Sequence, residues 1–399
     1  MMKRTVRFVG WATKQTVRFV ANATKRTVCF VVLAGCASSG GTRGPERGEG
    51  ALQAFQRGDF DQAEALSRDA REDEAIFLRA TVLLLKNRTR EAADAVTPVA
   101  TRMAKTVGDV QLITRARELL IQALLRLDDF HGAAQWYARL GDPVLARKYG
   151  SLAKSVAYLP TPGWSESTVD LLGTDPLAHV TMIVNGRTGV FLIDTSLDEI
   201  VIDRTFAKRA GLVGLGLRTN HYNVSYDEST VEELALGRLT VKNVPVHLGQ
   251  LTPIARMRAD GAIGLAFLMH FDFTIDYRRA RLVLRKPGAA LPGGLPAVLA
   301  GDRYLLVKGT VNGKTEAWLA VNTAMPDVVV TASEGHRHGP VLEIAAGPLR
   351  LTQPPLDTGS FPTGLDGGFG FPAPFMLAHG ALRDRSIRLE PRSMKLLIE

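Results

Sequence analysis

Between Ala51 and about Tyr158 apolar residues recur three and four apart, clearest over Ala75 to Leu85 and Val110 to Leu127, with few strand signals. Residues at that spacing share one face of a helix, so the segment predicts a set of packed amphipathic helices. The pattern stops at Leu159-Pro160-Thr161-Pro162-Gly163, and beyond it the period changes to two, with Val, Ile, Leu and Thr dominating. Such alternation predicts half-buried strands. A second cluster of Pro and Gly, from Lys286-Pro287-Gly288 to Pro296, divides the strand-rich part into two halves. The pattern thus predicts a helical domain over 51–158 and two all-β lobes over 164–287 and 300–399.

Three segments of the helical part read as a turn opening a helix: Gly58-Asp59-Phe60-Asp61-Gln62-Ala63, Asn87-Arg88-Thr89-Arg90-Glu91-Ala92 and Asp128-Asp129-Phe130-His131-Gly132-Ala133. A small alanine lets paired helices approach closely, and the arrangement resembles degenerate tetratricopeptide repeats. The alanines are 29 and 41 residues apart, on either side of the usual period of about 34. A plain helical bundle is the alternative. The resemblance implies a protein partner for the helical part.

The N-terminus changes the picture of charge. The chain of 399 residues carries a formal net charge of +9, but seven of its 49 Lys and Arg lie in residues 1–35, which contain no acid. The remainder holds 42 basic residues against 40 acidic ones. No run of clustered basic and aromatic residues accompanies that near-neutral balance, which argues against nucleic acid. The first 35 residues repeat an 11-residue unit, Lys3 to Val9, Lys14 to Val20 and Lys25 to Val31.

The third copy runs into a short apolar stretch ending Leu33-Ala34-Gly35-Cys36, then Ala37-Ser38-Ser39-Gly40-Gly41. A basic region followed by an apolar run too short to span a bilayer predicts a signal peptide over 1–35. Leu33 to Cys36 resembles a bacterial lipobox, which implies lipid on Cys36 and, with Ala37 following, an outer-membrane location facing the periplasm. The other reading is an ordinary secretory signal. Only Cys29 and Cys36 exist, so the processed chain would have no disulfide. Residues 36–50, rich in Ser, Gly, Arg and Glu, predict a flexible tether.

The candidate chemistry lies in the β half. His179 to Ser196 reads as strand, Asn185-Gly186 hairpin turn and strand, ending on Asp194. Ile200-Val201-Ile202 and a short helix from Arg204 to Ala210 follow. Further on come Asp260-Gly261-Ala262-Ile263-Gly264-Leu265, Phe273 to Tyr277 and Arg281 to Leu284. This ordered set resembles retropepsin-like aspartic proteases. The resemblance implies that Asp194, Thr195 and Ser196 form the catalytic turn, that Ala262, Ile263 and Gly264 thread beside it, and that Tyr222 to Glu228, with Tyr222 and Tyr226, forms a flap over the substrate.

The second half repeats the plan: Val311-Asn312-Gly313-Lys314, Trp318 to Val321, then Asn322-Thr323-Ala324 and Val328 to Val330, with a closing strand from Met394 to Ile398. Asp366-Gly367-Gly368-Phe369-Gly370 is the expected counterpart of Asp260 to Gly264. Two carboxylates side by side share one proton, one activating water and the other protonating the scissile carbonyl. Here the second position is Asn322, which cannot cycle a proton. Ser196 stands where the family has Gly.

The resemblance therefore leaves an aspartic peptidase, in which Asp194 activates water together with Asp194 of a second copy in a homodimer, against an inactive peptide-binding relative or an envelope scaffold. It implies no cofactor and no metal, and a peptide or protein as substrate or ligand. Asp357-Thr358-Gly359-Ser360 matches the family signature by letters, but Pro354, Pro355 and Pro362 flank it, which predicts a surface loop. His336 and His338 lack ligand partners at metal spacing. Asp260, Asp276 and Asp366 read as turn caps or arginine partners.

Overall fold

The computed structural model describes residues 45–399 except 220–224, 250–256, 289–290, 332–339, 359–360, 363–364 and 366–367. Cys36 and the signal segment, Tyr222, His336, His338 and Asp366 lie outside the described residues.

Helices α1 (Pro45–Gln56), α2 (Phe60–Ser67), α3 (Asp73–Leu85), α4 (Thr89–Ala100), α5 (Val107–Arg126), α6 (Phe130–Arg139) and α7 (Pro143–Leu152) come first. The three turn segments join α1 to α2, α3 to α4 and α5 to α6. Asp59 and Asp129 accept the amides of Gln62 and Gly132, which satisfies free N–H groups in the first turns of α2 and α6. Ala63, Ala92 and Ala133 are all completely buried, as close helix approach requires. The first helix starts at Pro45, inside the stretch read as a tether. Its buried Ala51, Ala54 and Phe55 have a surface to pack on, which the polar residues before them do not reveal.

That surface is the second lobe. Phe60 stacks on Trp318 with centroids 5.1 Å apart, and Phe371 meets both Phe55 and Phe60 edge-on. The Trp318 indole donates to the Gly58 carbonyl at 2.9 Å. Gly58 has φ +75°, and a Cβ there would lie 2.6 Å from Trp318 Nε1, so both backbone and space require glycine. Arg126 adds an ion pair to Asp302 at 2.8 Å and a hydrogen bond to the Gly301 carbonyl at 2.7 Å. The other end of the helical region, through Phe130, Leu145, Tyr149 and Leu152, joins the core of the first lobe.

The first lobe contains β1 (Leu159–Pro160), β2 (Glu166–Gly173), β3 (His179–Val184), β4 (Arg187–Ile193), β5 (Ile200–Ile202), α8 (Arg204–Arg209), β6 (Gly216–Thr219), β7 (Ser225–Leu236), β8 (Leu239–Leu248) and β9 (Gly261–Ile263). It closes with β10 (Asp272–Asp276) and β11 (Arg281–Arg285). The second has β12 (Leu295–Ala300), β13 (Tyr304–Val311), β14 (Thr315–Val321), β15 (Val329–Thr331), β16 (Glu343–Ala346), β17 (Leu349–Thr352), β18 (Leu356–Asp357) and β19 (Phe375–Leu377), then β20 (Ser386–Glu390) and β21 (Lys395–Ile398).

The lobes repeat a common set of strand pairings. The β3–β4 hairpin corresponds to β13–β14; β4 lies parallel to β9, as β14 does to β19. A shared antiparallel sheet joins them in the order β2, β11, β10, β20, β21, β12, with Phe273 opposite Leu389 at its centre. The counterpart of β9 is therefore β19, followed by a short helix His379–Leu382 as β9 is by Leu265–Leu268. This corrects the assignment to Asp366–Gly370. The position of Gly264 is filled by Ala378, so the glycine that marks the motif in the first lobe is missing from the second. No helix among the described residues is long and apolar enough to cross a membrane.

Candidate active site

Each hairpin delivers one turn to the junction of the lobes. At the end of β4 the Asp194 amide bonds the Ile263 carbonyl at 3.0 Å, and at the end of β14 the Asn322 amide bonds the Leu377 carbonyl at 3.0 Å. In each turn the side-chain Oδ1 accepts the amide two residues on, from Ser196 and from Ala324, both at 2.8 Å. Asp194 and Asn322 thus hold equivalent conformations.

The threonines between them lock the turns together. The Thr195 amide donates to Thr323 Oγ1 at 3.1 Å, and the Thr323 amide donates to Thr195 Oγ1 at 3.2 Å. The hydroxyls in turn donate across the junction, Thr195 to the Val321 carbonyl at 3.0 Å and Thr323 to that of Ile193 at 2.8 Å. Both amides and both hydroxyls of this buried crossing are paired, which is what makes their burial tolerable.

The environments of the two side chains differ. Asp194 is half-buried; burial pushes its titration up, opposed by the Ser196 hydroxyl and amide and by the charge of Arg303, and the net direction is upward. The Ser196 hydroxyl, 2.6 Å from Oδ1, stabilises the ionised form. Ser196 keeps a negative φ, so a side chain fits where the family has glycine. Asn322 is buried, and among the described residues its Nδ2 donates to the Met376 sulfur at 3.4 Å, a weak acceptor. Ser196→Ala is expected to raise the Asp194 titration further, measured by NMR of the carboxyl carbon against pH; an unchanged or lower value would show that the hydroxyl does not act on it.

Ala262 and Ile263, in β9 between β4 and β5, and Gly264 just after it sit beside this turn. A Cβ on Gly264 would lie 2.3 Å from the Glu199 carbonyl oxygen, a backbone atom with little room to move. The amides of Leu265 and Ala266 reach the carbonyls of Leu197 and Asp198 at 2.8 Å, bracing the loop after Ser196. Gly264→Ala should lower stability by about 1–3 kcal/mol through overpacking; a denaturation midpoint unchanged from wild type would contradict this.

The β6–β7 hairpin is the flap candidate. Tyr226 lies opposite Arg218 with its ring 4.4 Å from that of His247, and burial pushes its hydroxyl up to about 12. Asp260 pairs with Arg209 at 2.7 Å and caps the Val190 amide, and Asp276 pairs with Arg279 and Arg281, both structural roles. Asp357 belongs to β18, which pairs with β15 rather than ending the β14 strand that carries the second turn.

Residues 180–267 match the aspartyl protease family. Among solved structures, the crystal structure of a retropepsin-like aspartic protease from Rickettsia conorii is similar to this chain at 21% identity, covering 30% of this chain and 90% of that one with a TM-score of 0.24. No curated protein matches. The first lobe is thus similar to aspartyl proteases over the stretch that holds Asp194, β9 and the flap hairpin. The second lobe lies outside the matched residues, and its likeness rests on the repeated strand pairings.

One cluster escaped the reading of the sequence. Lys148 is completely buried between Glu199 and Glu228, beside His247. Its only trace was a lysine on the apolar stripe of Leu145, Tyr149 and Leu152.

Proposed function

We propose that this protein is an aspartic-peptidase relative whose groove above Asp194 and Asn322 holds an extended peptide or protein segment without hydrolysing it efficiently. The observation that carries this reading is the reciprocal threonine lock, which sets Asn322 opposite Asp194 within one chain. The amide binds water but cannot take and return a proton, so the pair lacks the shared proton of two carboxylates. The chain's own second lobe occupies the place a second copy's turn would need, which weighs against a homodimer built on two Asp194 residues. Strand addition beneath the β6–β7 hairpin is the binding mode this reading implies.

The reading extends to location and partner. The apolar run ending at Cys36 supports a lipid anchor in the cell envelope, on the periplasmic face of the outer membrane, and the helical hairpins support a tetratricopeptide-like platform for a second protein. Incorporation of labelled palmitate by the full chain, lost in Cys36→Ala, is the outcome expected of the anchor.

Fluorescein-labelled casein tests the groove. Anisotropy should report binding at mildly acidic pH with little cleavage. Efficient cleavage abolished by Asp194→Asn would replace this reading with that of an active peptidase working through one carboxylate.

A further inference from the structure

Four elements converge behind the flap: α7, the loop following Ser196, β7 and β8. Lys148 projects from the core face of α7, its ammonium 2.5 Å from Glu199 Oε2, 2.6 Å from Glu228 Oε2 and 3.4 Å from the Val246 carbonyl. The Tyr149 hydroxyl donates to the other Glu199 oxygen at 2.8 Å. His247 Nδ1 is 3.1 Å from Glu228, and its Nε2 is 3.7 Å from Asp198 and 3.8 Å from Glu199. Arg218 of β6 pairs with Asp142, which caps α7, and reaches within 3.5 Å of Glu228. Glu199, Glu228 and His247 bring one donor atom each within 4.8 Å of one another, a spacing suited to a cation. Lys148 already supplies that cation from within the chain.

The two carboxylates belong to parts of the fold that matter to the groove. Glu199 lies five residues past Asp194, in the loop braced by Leu265 and Ala266. Glu228 is at the root of the flap hairpin, opposite Gly216. A buried ion pair of this kind contributes little net stability but strongly specifies which groups meet. We infer that Lys148 is a positioning residue through which the helical region fixes the flap root to the loop behind Asp194. The inference rests on the groove reading above for what the flap covers.

The charge count adds a pH dependence. With Arg218 and Asp142 neutralising each other and Asp198 half-exposed, Glu199, Glu228 and Lys148 leave one net negative charge, which protonated His247 cancels. Burial opposes that protonation, but Glu199 and Glu228 outweigh both burial and Lys148, and the His247 titration is raised. A raised histidine contributes stability below the ordinary histidine range and loses it as pH rises through the raised value. Above the carboxylate range, the junction should therefore be tightest in mild acid and loosen toward alkaline pH.

Hydrogen–deuterium exchange of the full chain, with no ligand, reads the junction directly and can fail while the groove reading stands. In Lys148→Met the amides of 197–202, 215–219 and 225–231 should exchange at least roughly tenfold faster, and by a clearly larger factor than those of α1 to α3 and the β13–β14 hairpin. In wild type the same segments should loosen as pH rises through the His247 titration, after correction for intrinsic exchange. Glu228→Gln, which removes the net charge, should flatten that response. Unchanged exchange at the flap root in Lys148→Met, equal acceleration everywhere, or a pH response that persists in Glu228→Gln would each overturn the inference. Should Lys148→Met not fold, the Glu228→Gln comparison decides alone.

Discussion

Asn322→Asp is expected to raise casein cleavage by roughly 10²–10⁴-fold over wild type, the range a positioned acid–base group contributes. The replacement needs no rearrangement. Oδ1 would still accept the Ala324 amide, the threonine lock would still set the turn, and the atom now 3.4 Å from the Met376 sulfur would become a second carboxylate oxygen. Two carboxylates held in equivalent turns share one proton, and burial already pushes Asp194 upward. Activity should follow a bell in the acid range, because both fully protonated and fully ionised pairs are inert. The double variant Asp194→Asn/Asn322→Asp should fall back to background. A single variant that folds, binds casein and cleaves no faster than wild type would show that the groove lacks more than a carboxylate.

Lys148→Met is expected to lower unfolding free energy by about 3–5 kcal/mol at neutral pH, the usual cost of leaving buried charges without their partner. Methionine nearly reproduces the shape of the lysine stem, so a cavity contributes little. Glu199 would keep the Tyr149 hydroxyl and Glu228 would keep His247 and the more distant Arg218, but neither would have the ammonium. Burial raises the Glu228 titration, while Lys148 and His247 together pull it well below the usual carboxylate range. A depressed carboxylate contributes stability above its ordinary titration range and loses it as pH falls through the depressed value. In the variant Glu228 can take up a proton more easily, so the deficit should shrink toward acid pH. Denaturant midpoints at neutral and acidic pH measure both effects, and a midpoint within error of wild type at neutral pH would contradict them.

Much of the β architecture was legible because it is written in local chemistry. Asn185-Gly186 and Asn312-Gly313 all have positive φ, as tight hairpin turns demand, and each hairpin ends on a short polar triplet after an apolar strand. The helical hairpins were legible for the same reason, through Gly58, Asn87 and Asp128 at their turns, each with positive φ. The later part of the second lobe was misread because a glycine run at Asp366–Gly370 imitates the letters of the first lobe. What the fold needs there is an apolar strand running into a short helix, and Phe375–Leu377 with Ala378 supplies it without glycine. The Lys148 cluster was illegible for a different reason. Its partners lie 51 and 80 residues away along the chain, and no periodicity relates a helix stripe to a strand that far off.

The threonine lock has a genetic consequence. In a symmetric homodimer one codon writes both turns, because the two surfaces that meet are the same surface. Any substitution at the central acid then appears twice and removes both carboxylates together. Joining the two lobes in a single polypeptide frees the copies to drift apart, so that Asn322 can arise while Asp194 persists. The mismatched pair is an asymmetry that a homodimer of identical chains cannot encode.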